Sequence, residues 1–265
     1  MTDMQKLLAS RIEDYLKMSD RGELVCGNFL TPGEIAFALS TVKELKSADR
    51  VFFFGGYAEA DRKRMFVIPS YLSDFNGDAE SKAKSFFPEE FSSSVRAIKI
   101  QGSGYRELSH RDYLGTLLSL GIERCSVGDI VVTDPFSAVI FCTDKIFDFL
   151  ICGIEKIATD KVTAKETFVG EDFHPKREFL TINDTVASNR LDCVVGALIN
   201  LSREKAQNLI KSGLCEVNYL PEQRCDAGLQ LPCIITLRGY GKYNILSFDG
   251  ETKRGRLRIV AQKYV

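Results

Sequence analysis

The sequence predicts a mixed α+β protein, and three observations support this fold class. The length of 265 residues suits about two domains with cores that need no disulfide or metal. Helical and strand-like hydrophobic patterns alternate along the chain. A stretch rich in Pro, Gly and charge interrupts them at residues 167–185. We therefore predict an N-terminal α/β segment (1–94), a middle domain (95–166), a linker (167–185) and a C-terminal module (186–265).

The N-terminal segment contains two predicted helices and two predicted strands. The first helix, 5–17, has one apolar face: Leu7, Leu8, Ile12, Tyr15 and Leu16. The second begins at Thr31-Pro32, where Glu34 completes a capping box, and runs to about Lys46. Its predicted inward residues are Ile35, Ala38, Leu39, Val42 and Leu45. Short buried strands follow at 50–54 and 65–68, and residues 69–94 suggest turns and a short helix.

The middle domain shows a regular order of elements. Strands are predicted at 95–101, 129–133, 138–142 and 162–166, and helices at 110–120 and 144–158. This β-α-β-β-α-β order is typical of ferredoxin-like folds. The domain lacks the Gly- and Phe-rich signature of an RNA-recognition motif, so the pattern gives little support to bases stacking on its sheet.

The linker and the C-terminal module have shorter elements. One strand is expected within the linker at 178–182. Two amphipathic helices then meet at Asn200-Leu201-Ser202, with Ser202 as the N-cap of the second and Gly213 as its left-handed end. Strands are predicted at 215–219, 234–238, 242–248 and 256–260.

The charge is unevenly distributed, although 35 basic and 36 acidic residues almost cancel. Residues 186–265 contain 12 basic and 7 acidic side chains, whereas residues 1–185 contain 23 basic and 29 acidic ones. A basic segment on a compact domain is typical of phosphate binding. The alternative is a solvated strand face whose Lys and Arg residues protect a sheet edge.

We predict no metal site, no cofactor and no catalytic residue. The eight cysteines form no CxxC pair and lie in apolar stretches, which indicates small buried side chains in a reducing cytosol. No apolar run of 18 residues is present, so no membrane span is expected.

His110-Arg111-Asp112 is similar to a kinase catalytic loop, but Leu117 replaces the required Asn. A structural or RNA-facing role and a catalytic role both stay open for this triplet.

The C-terminal module closely resembles the RNA-binding module named after small-subunit ribosomal protein four. Four motifs carry the resemblance: Arg190-Leu191-Asp192, Ser202-Arg203-Glu204-Lys205-Ala206, Leu209-Ile210-Lys211-Ser212-Gly213 and Val217-Asn218. It implies RNA contacts at Arg190, Ser202, Arg203, Lys205, Gln207, Lys211 and Asn218. The basic residues of the later strands and turns are added to this prediction: Arg238, Lys242, Lys253, Arg254 and Arg256. Pro232-Cys233 replaces the Gly-Asp turn that is usual in the module.

Motifs elsewhere in the chain resemble the bacterial YlmH family. They are Gly55-Gly56-Tyr57, Asp61-Arg62-Lys63, the run from Ser109 to Gly115, Leu120-Gly121-Ile122, Gly128-Asp129-Ile130 and the run from Arg238 to Tyr243. The resemblance implies a cytoplasmic, non-enzymatic protein that binds structured RNA, both ribosomal and transfer RNA, on the large ribosomal subunit. It also implies a role in rescue and quality control of stalled large subunits. No small-molecule substrate is expected.

Two other functions compete with this interpretation. The first is an RNA-modifying enzyme, because similar terminal modules accompany pseudouridine synthases and methyltransferases. A synthase needs a larger domain with an Asp nucleophile, and a methyltransferase needs a Gly-rich turn after a strand; residues 1–166 show neither clearly. The second is a scaffold for cell-division proteins, in which the acidic front of the chain binds a partner.

Overall fold

A computed structural model describes residues 3–170, 172–175, 179–251 and 255–264. The chain divides into two compact units, Met1–Lys176 and Arg177–Val265. Both helices and sheets occur in each unit, which confirms the predicted α+β class.

The first unit opens with a small sheet between helices. Its elements are α1 (Asp3–Ser19), β1 (Val25–Leu30), α2 (Pro32–Glu44), β2 (Val51–Phe54), β3 (Lys63–Val67), α3 (Ala79–Phe86) and α4 (Pro88–Ser94). The strands form an antiparallel sheet in the order β1-β3-β2. The predicted capping box is confirmed, since Thr31 and Glu34 bond each other's backbone N–H groups at the start of α2.

A second sheet follows in the same unit. Its elements are β4 (Val95–Gly102), α5 (His110–Ser119), β5 (Val127–Asp134), β6 (Ser137–Thr143), α6 (Asp144–Gly153), β7 (Lys156–Ile157) and β8 (Asp160–Thr167). The five strands are antiparallel in the order β5-β6-β4-β8-β7. Helices α5 and α6 pack on one face, over a core that includes Ile98, Ile100, Leu117, Ile140 and Leu150.

The second unit is a six-stranded sheet with two helices. Its elements are β9 (Phe179–Val186), α7 (Leu191–Leu198), α8 (Arg203–Lys211), β10 (Cys215–Val217), β11 (Leu220–Pro221), β12 (Cys233–Leu237), β13 (Gly241–Glu251) and β14 (Leu257–Tyr264). The order is β11-β10-β12-β13-β14-β9. The first unit, described above, also contains three short 3-10 helices: Ala48–Arg50, Ser70–Leu72 and Arg124–Ser126.

Three predictions need correction. The linker interpretation of 167–185 is wrong for its last part, because β9 pairs with β14 through eight residue pairs and belongs to the second unit's sheet. The helix predicted at 144–158 ends at Gly153, and the pair β7 and β8 follows. Leu7, Leu39 and Leu45, predicted to face inward, are exposed because only a narrow stripe of α1 and α2 is covered.

The cysteine side chains are all free thiols. Cys142, Cys215 and Cys233 are buried, whereas Cys26, Cys125, Cys193 and Cys225 are half-buried. Cys152 is exposed, which the prediction of buried side chains did not anticipate. Burial raises the pKa of Cys142 to about 12, so this thiol stays protonated and serves as an apolar packing group.

Candidate nucleic-acid interface

The carboxylate of Asp192, fully buried in the first turn of α7, links three of the predicted RNA-binding residues. It accepts hydrogen bonds from Gln207 Nε2 at 2.7 Å and Arg203 Nε at 3.0 Å. Arg190 donates from Nε at 3.2 Å and from Nη2 at 3.3 Å. The start of α7 is thereby tied to α8, and the three side chains are held in a fixed arrangement.

The charge of Asp192 is maintained by this network. Burial alone would raise the pKa of Asp192, but the hydrogen bonds from Gln207, Arg190 and Arg203 outweigh burial and hold that pKa well below its ordinary value. The carboxylate is therefore ionised at neutral pH. The side chains of Arg190 and Arg203 stay 40% and 59% exposed, so each retains N–H groups that can reach an external phosphate.

An open groove of about 300 Å³ adjoins this network. Asn200, Leu201 and Arg203 line it from the helical side, and Thr185 and Arg256 line it from the sheet. The Nε of Arg256 donates to the Thr185 hydroxyl at 3.1 Å, and its guanidinium also donates to the Thr185 carbonyl. The pairing of β9 with β14 thus brings Arg203 and Arg256, about 50 positions apart in the chain, to the walls of one groove. The carboxylate of Asp184 also lines this groove.

Helix α8 presents three further predicted residues. Ser202 caps the helix by accepting a hydrogen bond from the Lys205 N–H at 3.4 Å, as the sequence predicts. Lys205 is exposed in the first turn, where helix N–H groups favour anions, and Lys211 is exposed in the last turn.

Asn218 has a structural role in the turn after β10. Its backbone is left-handed, with φ of 49°. Its side-chain oxygen accepts a hydrogen bond from the Ile234 N–H at 2.9 Å, and its own N–H donates to the Ile234 carbonyl at 2.8 Å. These bonds tie the turn to β12. The predicted RNA contact at Asn218 stays a prediction.

Two of the other residues predicted to bind RNA lie at strands β12 and β13 of the second unit. Arg238 is exposed at the end of β12. The Lys242 ammonium lies 4.9 Å from the ring centre of Tyr219 and 4.6 Å from that of Tyr264, which are cation–π distances. These tyrosines are not among the predicted site residues, because their proximity to Lys242 depends on strand pairing. Lys253 and Arg254 lie outside the described residues.

Several motifs of the first unit converge on one carboxylate, Asp129. It accepts hydrogen bonds from the Tyr57 hydroxyl at 2.8 Å and from the N–H groups of Asp61 and Arg62 at 2.7 and 3.1 Å. The Arg62 side chain in turn donates to the Val127 carbonyl at 3.1 Å. The motifs around Gly55, Asp61 and Gly128 therefore form one structural network.

The His110-Arg111-Asp112 triplet opens α5. Asp112 forms a capping box with Ser109, and Arg106 lies 3.3 Å from the Asp112 carboxylate. Burial and then the charge of Arg124 lower the pKa of His110. The triplet thus has a structural use at the helix start.

Comparisons with known proteins agree with these motifs. Residues 88–171 match a family domain described as "Putative RNA-binding domain in YlmH". A Bacillus subtilis (strain 168) relative, "Ribosome-associated protein quality control protein P2", is 26% identical over 212 residues, or 80% of this chain and 77% of the relative. These matches support the resemblance of this chain to the YlmH family.

A solved structure of a YlmH protein is also similar. The "Cell division protein ylmH from Streptococcus pneumoniae" is 16% identical and matches with a TM-score of 0.48, covering 66% of this chain and 97% of that one. Among the residues that the structure describes, no helix combines the length and the hydrophobicity that a membrane span needs.

Proposed function

We propose that this protein is a non-enzymatic RNA-binding factor that docks on the large ribosomal subunit and contacts ribosomal and transfer RNA. Its role would be the rescue and quality control of stalled large subunits in the cytoplasm. The docking surface is the helical side of the second unit, from Arg190 to Lys211, together with Arg256.

The groove that brings Arg203 and Arg256 together carries this proposal. Two guanidinium groups that are oriented by other protein groups can each bind a phosphate through two parallel hydrogen bonds. Lys205 and the free N–H groups at the start of α8 add positive potential beside them. Phosphate contacts of this kind supply most of the affinity for folded RNA, and the shape of the groove selects among folded RNAs.

The comparisons support the choice of RNA and of the ribosome. The matched family domain is described as RNA-binding, and the Bacillus subtilis relative is named as ribosome-associated. We extend both properties to this chain because five of its motifs are connected in the structure, three through Asp129 and two through Asp192.

Finer features of the fold belong to the same proposal. We assign the middle domain, 95–166, to the ferredoxin-like class, an assignment supported by its β-α-β-β-α-β order and by the sheet order β5-β6-β4-β8. We assign the helix pair and β10 of the second unit to the module named after ribosomal protein four. The N-terminal segment, 1–94, completes the proposed organisation and shares the first unit with the middle domain.

The absence of catalysis is part of the proposal and has its own test. The carboxylates of Asp112 and Asp129 are engaged in structural hydrogen bonds, which leaves them poorly placed as bases or nucleophiles. We expect mass spectrometry to find identical ribosomal RNA modifications in cells with and without the protein. A modification that is missing only in cells without the protein would identify an enzyme instead.

Ribosome docking is tested with the variant Lys205→Glu/Lys211→Glu. Both lysines are exposed and lie outside the Asp192 network, so reversing them changes charge without leaving a buried carboxylate unpaired. We expect co-sedimentation with large subunits to weaken at least tenfold, because repulsion replaces phosphate contacts.

The matched control is Lys17→Glu/Lys43→Glu, which makes the same charge change at exposed positions of α1 and α2. The control should co-sediment like the wild type. Unchanged sedimentation of the α8 variant would contradict the proposed docking surface. Treatment with nuclease before a pull-down separates RNA-dependent binding from a direct contact with division proteins.

A further inference from the structure

The five-stranded sheet of the first unit has one face covered by helices and one face that is divided. On the second face, the side chains of Ala97, Val139 and Phe141 pack against Phe29 and Tyr57. This packing covers the part formed by β5, β6 and the first half of β4. The part formed by the end of β4, by β8 and by β7 is left exposed.

Four lysines occupy that exposed part. Lys99 on β4 is directly opposite Lys165 on β8, and Lys156 on β7 is directly opposite Lys161 on β8. Lys161 and Lys165 are four residues apart on one strand and therefore point to the same side. All four are exposed, whereas Val162, between them, is buried. We call this set, Lys99, Lys156, Lys161 and Lys165, the lysine face.

The arrangement is unfavourable for the isolated protein. Like charges that are directly opposite in an antiparallel pair destabilise the sheet, and here this occurs twice. Among the residues that the structure describes, none forms a salt bridge with any of the four lysines. One carboxylate, that of Asp134, is influenced by this set: hydrogen bonds from Ser137 and the Phe136 N–H, and then the charge of Lys99, lower its pKa. One carboxylate, already engaged by Ser137, does not neutralise four ammonium groups.

Two aromatic side chains flank the lysine face. Phe168 directly follows β8 and is 92% exposed. Tyr105 lies in the loop after β4 and is 97% exposed. This loop is held to the start of β8, since the Ser103 N–H donates to Asp160 at 3.0 Å and the Ser103 hydroxyl donates to the same carboxylate. The two rings therefore lie near opposite ends of β8, which is about 23 Å long at roughly 3.3 Å per residue.

Phosphate groups and unpaired bases satisfy both features. Lysine ammonium groups neutralise a phosphate backbone, and exposed aromatic rings stack on unpaired bases. An acidic protein segment would use the lysines but leaves both rings without a partner. A double-stranded RNA would use the lysines but offers no unstacked base to the rings.

We propose that the lysine face binds the backbone of a single-stranded or looped RNA segment, with Tyr105 and Phe168 stacking on bases at either end. This inference rests on the proposed function in one respect, namely that RNA is the ligand. It assigns a second RNA contact, in the first unit, that shares no residue with the α8 surface.

The test uses the full-length protein and a fluorescein-labelled oligouridylate of 12 nucleotides. We expect the variant with Gln at all four lysines to bind at least tenfold more weakly at about 0.1 M salt. Its plot of log K against log salt should be shallower by about 3, since each lost phosphate contact to a single strand removes roughly 0.7. Tyr105→Ala and Phe168→Ala should each weaken binding about tenfold without changing that slope, as base stacking carries no counterion release.

The control replaces four other exposed lysines of the first unit by Gln: Lys6, Lys17, Lys43 and Lys145. Control and wild type should bind alike. An unchanged affinity of the lysine-face variant overturns the inference, and so does displacement of the RNA by polyglutamate of equal charge, which would indicate an acidic protein ligand. If the lysine-face variant binds normally while Lys205→Glu/Lys211→Glu fails to co-sediment with ribosomes, only this inference fails. If ribosome docking itself is absent, the proposed function fails separately.

Discussion

At the scale of single residues, Asp192 holds in place the side chains of α7 and α8 that are predicted to contact RNA. The resemblance to an RNA-binding module predicts RNA contacts at Arg190, Arg203 and Gln207, and the structure shows each of them bonded to this buried carboxylate. The residue types of the site could be predicted from that resemblance, and the cap at Ser202 also from the local helix signal. The buried hub could not, since it depends on the packing of α7 on α8.

Asp192→Asn should destabilise the second unit. The amide has donors where the carboxylate accepted, so two arginines lose their ionic partner inside the network. We expect the free energy of opening α7 and α8 to fall by about 2–3 kcal/mol, near the lower end for a broken buried ion pair because both arginines are partly exposed. Hydrogen-exchange mass spectrometry of α7 and α8 peptides measures this change.

Asp226→Asn is the matched control, since Asp226 is an exposed acid of the same unit. Its effect should stay within about 0.5 kcal/mol. Equal effects of the two variants would show that Asp192 contributes no special stability.

The stability of the second unit should also depend on pH through Asp192. Its folded-state pKa is depressed, so its contribution is complete above the unfolded-state pKa of about 4 and is lost progressively as the pH falls below that value. Urea unfolding at pH 3 to 7 should therefore show a steeper loss of stability below about pH 4 in the wild type than in Asp192→Asn. Parallel curves for the two proteins would exclude this linkage.

At the scale of elements, strong local signals were sufficient for most of the fold. The capped helices α2, α5 and α8 and the apolar strands of the middle domain were predicted to within a few residues. Strand β1 was missed because Gly27 and Asn28 interrupt its apolar pattern. The two-residue strands β7 and β11 were missed because they have no periodicity of their own. The lysine face and the position of Arg256 beside the groove could not be predicted. Both depend on which residues pair between strands, and local sequence patterns do not give this register.

Two glycines test how tightly the elements of the first unit pack. Gly56 and Gly104 both have positive φ, 99° and 86°. A Cβ on Gly56 would lie 2.3 Å from the Phe141 ring, whereas a Cβ on Gly104 meets nothing within 4 Å. Gly104→Ala should cost about 1 kcal/mol for the backbone alone. Gly56→Ala should cost about 1–3 kcal/mol more, because it also overpacks the core, and urea unfolding of both variants measures the difference. Equal costs would contradict a close contact at Gly56.

At the scale of the whole molecule, the nearly neutral total hides two units of opposite character. Residues 1–176 contain 22 basic and 27 acidic side chains, and residues 177–265 contain 13 basic and 9 acidic ones. Each unit has its own buried core, and that of the second includes Val186, Val194, Ile210, Ile235 and Ile259. The exposed lysine face shows that the net charge of a unit does not reveal where its basic surfaces lie, since this basic surface occurs within the acidic part of the chain.

The boundary between the units can be tested with two fragments. Residues 177–265 should fold alone, because they include β9 and the complete core of the second unit. Residues 187–265 should fail to fold or should aggregate, because removal of β9 leaves β14 as an unprotected edge strand and removes Val186 from the core. Circular dichroism and size-exclusion chromatography distinguish the outcomes. Two equally stable fragments would show that β9 is dispensable.

The pairing of β9 with β14 also sets an order of events during synthesis. Of the paired residues, Val186 and Leu257 are the closest in sequence, and they are still about 70 positions apart. Strand β9 therefore leaves the ribosome long before its partner strand exists. Until β14 is made, the groove has no Arg256 wall and the growing chain cannot use it. A protein proposed to act on ribosomes is thus prevented by its own topology from binding RNA through this groove while it is still being translated.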